Sequence, residues 1–285
     1  MIEALTEGLL LIEKPAGITS HDAVATVRRA LGTRRVGHAG TLDPMATGLL
    51  VMGVGRATRL LRFLGELPKT YEGSLRLGVE TSTLDADGDI VRESTVSGIT
   101  QDPVRAAMAD KLGASSQRPP AFSAVRVGGR RLHEAARKGE VLEAPARIVR
   151  VDRFDLTGMR GPDVDFVCVV SGGTYVRVLA ADVGAALGVG AHLTSLRRTS
   201  IGPFEVSDGV PPDRPGAPLS SALAVAHLPR VELDEVEAEA AGHGRMLGPA
   251  GFDGPYGVYG PGGDLIGIWR DDGGMARPEV VLAPA

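Results

Sequence analysis

The run GLLLIEKPAG, residues 8 to 17, starts apolar and ends in a Pro/Gly turn, which is the pattern of a buried strand. Beyond the turn the period becomes helical: Val24, Val27 and Leu31 recur on one face, Thr19 or Ser20 can cap the start, and Gly32 is placed to stop the helix. From Gly37 to Gly48 no amphipathic period exists and glycine is frequent, which predicts an ordered loop feeding the apolar strand LLVMGV. RATRLLRFL, residues 56 to 64, predicts a short helix. KTYEGSLRLGVE then alternates Tyr71, Gly73, Leu75, Leu77 and Val79 against polar neighbours, so Tyr71 is expected on the inward face of a strand.

Asp102 followed by Pro103 signals another helix start, and VRVDRFDL and VDFVCVVS read as two strands. After SGGT a helix opens at Tyr175, with Val176, Leu179, Ala180, Val183 and Leu187 on its buried side. PPDRPGAP, residues 211 to 218, is the clearest linker, and the apolar LSSALAVAHL after it is expected to pack back on the main domain. The domain boundary is therefore placed near Pro229, giving a main domain of residues 1–228 and a tail of residues 229–285. A short acidic helix and the glycine-rich hairpin VYGPGGDLIGIW make that tail a small β-rich module.

Composition narrows the function classes. A chain of 285 residues with 43% hydrophobic content can bury a sizeable core. No apolar run approaches the roughly 20 residues of a membrane helix. The opening MIEALTEGLL carries acids where a secretory leader carries lysine or arginine, so a cytoplasmic protein is expected. Cys168 is the single cysteine, which excludes an internal disulfide and a thiolate zinc cluster. A formal charge of -4 argues against nucleic acid as a partner, yet charge is unevenly spread. Between Arg118 and Arg150, eight cations face three glutamates, whereas the chain from Val231 onward is acid-rich. Such a basic stretch fits either a solvated surface loop or a phosphate-binding patch.

The densest information lies in GHAGTLDPMATGLL, where His38, Thr41 and Asp43 stand among glycines. An aspartate before proline is commonly a turn former. Asp43, however, lies between glycine-bounded turns and directly before a buried strand, a position from which a rigid scaffold displays a reactive side chain. Arg177 stands in the first turn of a helix, where the dipole gives a cation no benefit; it is either a surface arginine or the partner of a pocket carboxylate. Tyr71 is either a core tyrosine or a ring for stacking on a base. DADGDI lacks the spacing of a calcium loop and reads as a tight turn, HEAARKG fails the HExxH pattern, and GVGRAT is no dinucleotide loop.

GHAGTLDPMATGLL resembles the signature of the TruB pseudouridine synthase family. KTYEGSLRLGVETSTLDADG, RPPAFSAVRVGGRRLHEAARKG, SGGTYVRVLAADVG and AHLTSLRRTSIGPF resemble further blocks of it in family order, and together they span roughly residues 9 to 204. The tail resembles a short PUA-like RNA-binding module. The resemblance implies an α+β fold with a mixed, largely antiparallel central sheet, flanking helices and an RNA-gripping insertion at about residues 116–148. It implies Asp43 as the catalytic carboxylate, Arg177 as its ion-pair partner and Tyr71 as the ring stacked on the target uracil. His38, Tyr175 and Leu196 are implied as further substrate contacts, and Arg118, Arg126, Arg130, Arg131, Arg137 and Lys138 become candidates for the RNA backbone. His133 departs from the family pattern, which often has tyrosine there.

By the same resemblance the chain is an isomerase that converts a uridine, position 55 in the T arm of tRNA, to pseudouridine. The reaction breaks the bond from ribose C1′ to N1, turns the uracil and joins C1′ to C5. It changes no oxidation state and adds no group, so no metal and no organic cofactor are expected, and the chain is expected to act on the T stem-loop as a monomer. Arg177 beside Asp43 should lower its pKa and keep it ionised. Whether that carboxylate attacks C1′, attacks C6 or removes a sugar proton stays open. Two alternatives remain: a guide-RNA-dependent pseudouridine synthase, and a non-catalytic tRNA-binding or folding module.

Overall fold

A computed structural model describes residues 7–140 and 142–282; the first six residues, which carry part of the leader reading, lie outside it. Strand β1 (Gly8–Lys14) forms from the first apolar run, and helix α1 (Ser20–Leu31) follows with Thr19 as its N-cap. The cap is reciprocal. The Thr19 hydroxyl accepts from the Asp22 N–H at 3.1 Å, and the Asp22 carboxylate accepts from the Thr19 N–H at 2.9 Å, an arrangement that contributes about 1 kcal/mol. Gly32 closes the helix in the left-handed conformation.

The glycine-rich segment is not loop throughout. Val36–His38 forms a short strand, β2, against β3 (Thr47–Val54), leaving residues 39–46 as the loop proper. Three residues are too few for a period-two signal to stand out in sequence. RATRLLRFL folds as a 3-10 turn, Gly55–Leu60, continued by one turn of α-helix, α2 (Leu61–Leu64). Next come β4 (Lys69–Leu77), the hairpin β5 (Val79–Thr81) and β6 (Ile90–Glu93), α3 (Gln101–Ala109) and β7 (Gly113–Gln117). The insertion holds a two-residue hairpin, β8 (Arg126–Val127) and β9 (Arg130–Arg131), and the single-turn α4 (Leu132–Ala136). The long strands β10 (Arg147–Arg160) and β11 (Asp163–Val170) precede α5 (Val176–Ala186), β12 (Ala191–Ile201) and β13 (Phe204–Glu205).

The main sheet has the order β1-β3-β12-β4-β11-β10-β7, with β2 on β3 and β13 on β12. Its pairs are antiparallel except β3 with β12, so the sheet is mixed and largely antiparallel. That parallel contact joins the strand after the glycine-rich loop to the strand carrying Arg198. Arg198 is in register with Gly48, whose φ is 101°, and a Cβ on Gly48 would collide with the Arg198 backbone. Glycine is required there because only it combines that backbone conformation with so close an approach. Tyr71, Leu75, Leu77, Phe166 and Val170 of the sheet pack with Val104 and Met108 of α3 and Leu179 and Val183 of α5. Each such buried side chain contributes about 1.5–3 kcal/mol.

The tail builds a second sheet in the order β14-β15-β16-β17 from β14 (Arg230–Glu232), β15 (Pro255–Tyr259), β16 (Leu265–Asp272) and β17 (Met275–Val281), with α6 (Glu235–Gly242) beside it. Trp269, Tyr256 and Leu233 form its own core. Ile268, Val280 and Leu282 instead join a cluster with Leu9, Leu60 and Phe63 of the main domain. Ala224 and Val225 are buried in the same cluster, and Leu219 bridges to Leu9, so LSSALAVAHL does pack back on the main domain. Arg59 donates to the Val281 carbonyl at 2.6 Å, and Arg62 pairs with Glu279 at 2.5 Å.

Candidate active site

The loop of residues 39–46 is fastened on several sides. The Ser20 hydroxyl donates to the Leu42 carbonyl at 3.1 Å and accepts from the Leu42 N–H at 2.9 Å. Lys14, fully buried, donates to the carbonyls of Pro15, Ile18 and Pro44 at 2.9, 2.8 and 3.3 Å. Arg198, also buried, donates to the Leu49 carbonyl at 2.7 Å and the Gly40 carbonyl at 3.1 Å. Burial pushes Lys14 down to about 8. Each cation joins one carbonyl of the loop, Pro44 or Gly40, to carbonyls of the segments beside it, which supplies partners that a loop without a ladder of its own lacks. The result is a rigid mount for Asp43, even though the segment has little regular structure.

Asp43 faces Arg177 at Oδ1–Nη2 3.6 Å. The arginine is engaged more closely elsewhere: its Nη1 lies 3.1 Å from Asp85 Oδ2, and its Nη2 donates to the Phe122 carbonyl at 2.6 Å. Asp85 is the functional candidate that sequence reading missed, because DADGDI was read only as a turn. Its signal was available. An acid inside a block that also carries Tyr71 warranted weighing as a site residue. The turn itself puts Leu84 at a φ of 65°, uncommon outside glycine, and β12 holds it there through the Leu193 N–H donating to the Leu84 carbonyl at 3.0 Å. That backbone turns Asp85 inward beneath Arg177.

The charge balance at Asp43 differs from expectation. Its side chain keeps 35% of its surface exposed, yet its carboxyl is held above the usual aspartate range. Burial is the largest cause; Arg177 pulls the other way, and Asp85 and Asp87 push the value further up. A guanidinium at 3.6 Å that already neutralises Asp85 has less to offer a second carboxylate. Arg177 therefore restrains the rise without reversing it.

Tyr175 caps α5 and is gripped on both sides. Gln117 pairs with its backbone twice, accepting from the Tyr175 N–H at 2.8 Å and donating to the Tyr175 carbonyl at 3.2 Å. Its ring lies close to two guanidinium groups, 4.8 Å from Arg147 and 5.7 Å from Arg177. Arg147 also donates to the Gly173 carbonyl. Gln117 and Arg147 are the residues at which the insertion leaves and rejoins the sheet, and Phe122, inside the insertion, bonds Arg177. The insertion is thus tied to the site at three points.

Tyr71 on β4 is buried, flanked in register by Cys168 of β11 and Arg198 of β12. Leu196 is in register with Gly73, and both line a cleft of about 580 Å³ with Met45, Ser74, Phe166 and Thr194. His38 sits at the end of β2 with its ring 5.7 Å from His21 in an edge-to-face arrangement. Burial, with help from His21 and Arg198, pushes His38 down to about 4, so it is neutral near pH 7. Among the described residues, no three His, Cys, Asp or Glu side chains gather as a metal site.

The basic insertion is less positive than its sequence suggests. Arg118 pairs with Glu143, Arg130 with Glu140 at 2.5 Å and Arg131 with Glu134 at 3.4 Å, which neutralises half of the six backbone candidates internally. Arg126, Arg137 and Lys138 are exposed and make no ion pair among the described residues. His133 is turned inward, donating from Nδ1 to the Ser123 carbonyl at 2.9 Å.

Comparison with known proteins adds three findings. The model of the TruB family pseudouridylate synthase N-terminal domain matches residues 28–176, and the models of the tRNA pseudouridylate synthase B C-terminal domain and the tRNA pseudouridine synthase II C-terminal domain match residues 177–211 and 228–283. The chain is 47% identical to a tRNA pseudouridine synthase B of Mycobacterium sp. (strain KMS), covering 98% of this chain and 97% of that one. It is 48% identical to another of the same description from Mycolicibacterium paratuberculosis, covering 98% of both. Its fold is similar to a chain in the structure of an H/ACA RNP bound to a substrate RNA containing 2'-deoxyuridine, with a TM-score of 0.72 at 25% identity, covering 97% of this chain and 85% of that one.

Proposed function

The chain belongs to the TruB family of pseudouridylate synthases, and from that premise we propose that Asp43 is the carboxylate on which isomerisation of the T-arm uridine at position 55 of tRNA depends. The enzyme is an isomerase that converts a uridine in tRNA to pseudouridine. The observation that carries the residue assignment is the meeting of Asp43, on its braced loop, with the buried Arg177 at 3.6 Å; Met45, two residues past Asp43, lines the cleft edged by Leu196.

A uridine stacked in an RNA loop is out of reach of a recessed aspartate, so the base leaves the stack at a cost of a few kcal/mol. Tyr71 stacks on the extruded uracil and returns about 1–3 kcal/mol of that cost. Tyr175 and Leu196 wall the pocket, with Leu196 contacting through its backbone. His38, uncharged near pH 7, supports the RNA loop left behind. The glycosidic bond from C1′ to N1 breaks, the uracil turns within the pocket, C1′ joins C5, and the proton lost from C5 is balanced by one taken up at N1. Asp43 acts on this sequence as the ionised carboxylate, and Arg177 keeps it aimed. The exposed Arg126, Arg137 and Lys138 supply phosphate contacts whose strength falls with salt. Residues 229–285 act as a PUA-like module extending that contact.

The test uses an unmodified tRNA transcript treated with wild type or Asp43→Asn, pseudouridine labelling by carbodiimide, and mapping of reverse-transcription stops. A single T-arm stop made only by wild type supports the assignment; equal stops with both proteins overturn the role of Asp43. The H/ACA likeness favours one second reading, a guide-dependent enzyme. Turnover by the purified chain without any guide RNA removes it, and a requirement for guide RNA establishes it.

A further inference from the structure

From Ser20 to Leu64 the chain carries seven arginines against two aspartates, the same excess as the 118 to 150 stretch, although its arginines are scattered between apolar residues. The structure separates them. Arg56 pairs with Glu7, Arg62 pairs with Glu279, and Arg59 bonds the Val281 carbonyl. Arg28, Arg29, Arg34 and Arg35 remain, all exposed, and none forms an ion pair among the described residues. Arg28 and Arg29 have a local explanation, since they close the last turn of α1 where a cation complements the helix dipole. Arg28 also donates to the Val36 carbonyl at 2.7 Å, and Arg29 to the Thr26 hydroxyl at 3.1 Å.

Arg34 and Arg35 have no such explanation. They lie past the helix, and their side chains make no hydrogen bond or ion pair with any described residue. Their backbone is nonetheless fixed. The Arg35 N–H donates to the Thr33 hydroxyl at 3.3 Å, the Gly55 N–H donates to the Arg35 carbonyl at 2.8 Å, and β2 follows at once. Neither guanidinium has a carboxylate within ion-pair distance among the described residues, which leaves both able to take an anion from a ligand. Arg35 is three residues from His38 along an extended segment, at most about 10 Å. That is the length of a few phosphates along a nucleic-acid strand.

We propose that Arg34 and Arg35, with Arg28 and Arg29 behind them, form a second phosphate-docking surface that grips the RNA backbone on the His38 side of the active site, across from the insertion. The inference rests on the tRNA reading of the site. Two basic surfaces on either side of the pocket hold the RNA while a base is drawn out between them. The α1–β2 surface is the less compensated of the two, because the insertion's arginines are half paired with its own glutamates.

The experiment measures tRNA Kd against salt for the full chain, for Arg34→Ala with Arg35→Ala, and for Arg34→Lys with Arg35→Lys, together with kcat at saturating tRNA and thermal melting. The alanine pair is expected to lower the slope of log K against log salt by about 1.4 to 1.8. It should weaken binding about tenfold or more at low salt, with kcat and melting unchanged. The lysine pair should restore the slope, as a charge contact requires. A slope and Kd unchanged by the alanine pair, with wild type still binding, overturn the docking surface alone. Failure of wild type itself to bind tRNA brings down the functional reading and this inference together.

Discussion

Arg177 and Asp85 form a buried ion pair at 3.1 Å, with 5% and 4% of their side-chain surfaces exposed, beneath the more open Asp43. A buried charge left without its partner is strongly destabilising, by about 3–5 kcal/mol. Asp85 therefore fixes the arginine, and the arginine in turn fixes Asp43 from below. Asp43, the proposed catalytic carboxylate, is the outermost member of a chain of three charges, and the other two are buried.

Asp85→Asn should accordingly reduce kcat by at least tenfold and lower thermal stability, although Asp85 is not itself placed against substrate. Arg177→Ala should be at least as damaging to kcat. Single-turnover kinetics with melting curves check both. Arg177 also donates to the Phe122 and Thr83 carbonyls, at 2.6 and 3.5 Å, and wild-type kcat in Asp85→Asn would show that these alone hold it.

Asp43→Asn should abolish turnover while tRNA affinity stays within about twofold, since phosphate contacts distributed over the surface dominate affinity. Filter binding and the pseudouridine assay on one preparation separate the two quantities. Lost binding with intact RNA would assign Asp43 a structural role.

The raised carboxyl of Asp43 sets a pH dependence. With the proposed role of ionised Asp43, the acid limb of kcat should fall at a pH above that of an ordinary aspartate. The linkage has a definite sign. A carboxyl that binds its proton more tightly folded than unfolded opposes stability once pH rises through its folded value. Asp43→Asn should therefore raise the melting temperature near pH 7, and the difference should vanish below the unfolded carboxylate range. Melting curves across pH check this, and a gain that grows toward acid would contradict it.

Tyr71→Phe should retain base stacking and most affinity for a flipped substrate, whereas Tyr71→Ala loses the ring and about 1–3 kcal/mol of it. The alanine variant also opens a cavity in the main core, so its melting temperature should drop while that of the phenylalanine variant holds. Kinetics on both variants distinguish a stacking ring from one that only fills the core.

Removing residues 230–285 is expected to do more than weaken RNA binding. Ile268, Val280 and Leu282 cover Leu9, Leu60 and Phe63, and their loss exposes that cluster at about 1.5–3 kcal/mol for each side chain. The truncated chain should melt earlier than the full one. An unchanged melting temperature would mean that the two sheets do not share that core in solution.

Much of this molecule was legible in the amino-acid order because the relevant physics is local. The strand at residues 8–14, the capped helix after it and the alternation around Tyr71 follow from periods and caps that neighbouring residues define. GHAGTLDPMATGLL marked the loop of Asp43 because glycine and proline constrain the backbone wherever they occur. What the sequence did not disclose depends on partners far apart along the chain. Asp85 lies 92 positions from Arg177, and although its place in the block of Tyr71 marked it for weighing, its partner was visible only in the folded chain. Whether an arginine is free or neutralised is likewise decided only when strands meet: Arg118 finds Glu143, Arg62 finds Glu279, and Arg34 and Arg35 find no carboxylate among the described residues. The balance at Asp43 depends on the same tertiary facts, because desolvation and the second partner of Arg177 exist only in the folded chain. Local pattern determined the elements and the reactive loop; long-range packing decided the charges around it.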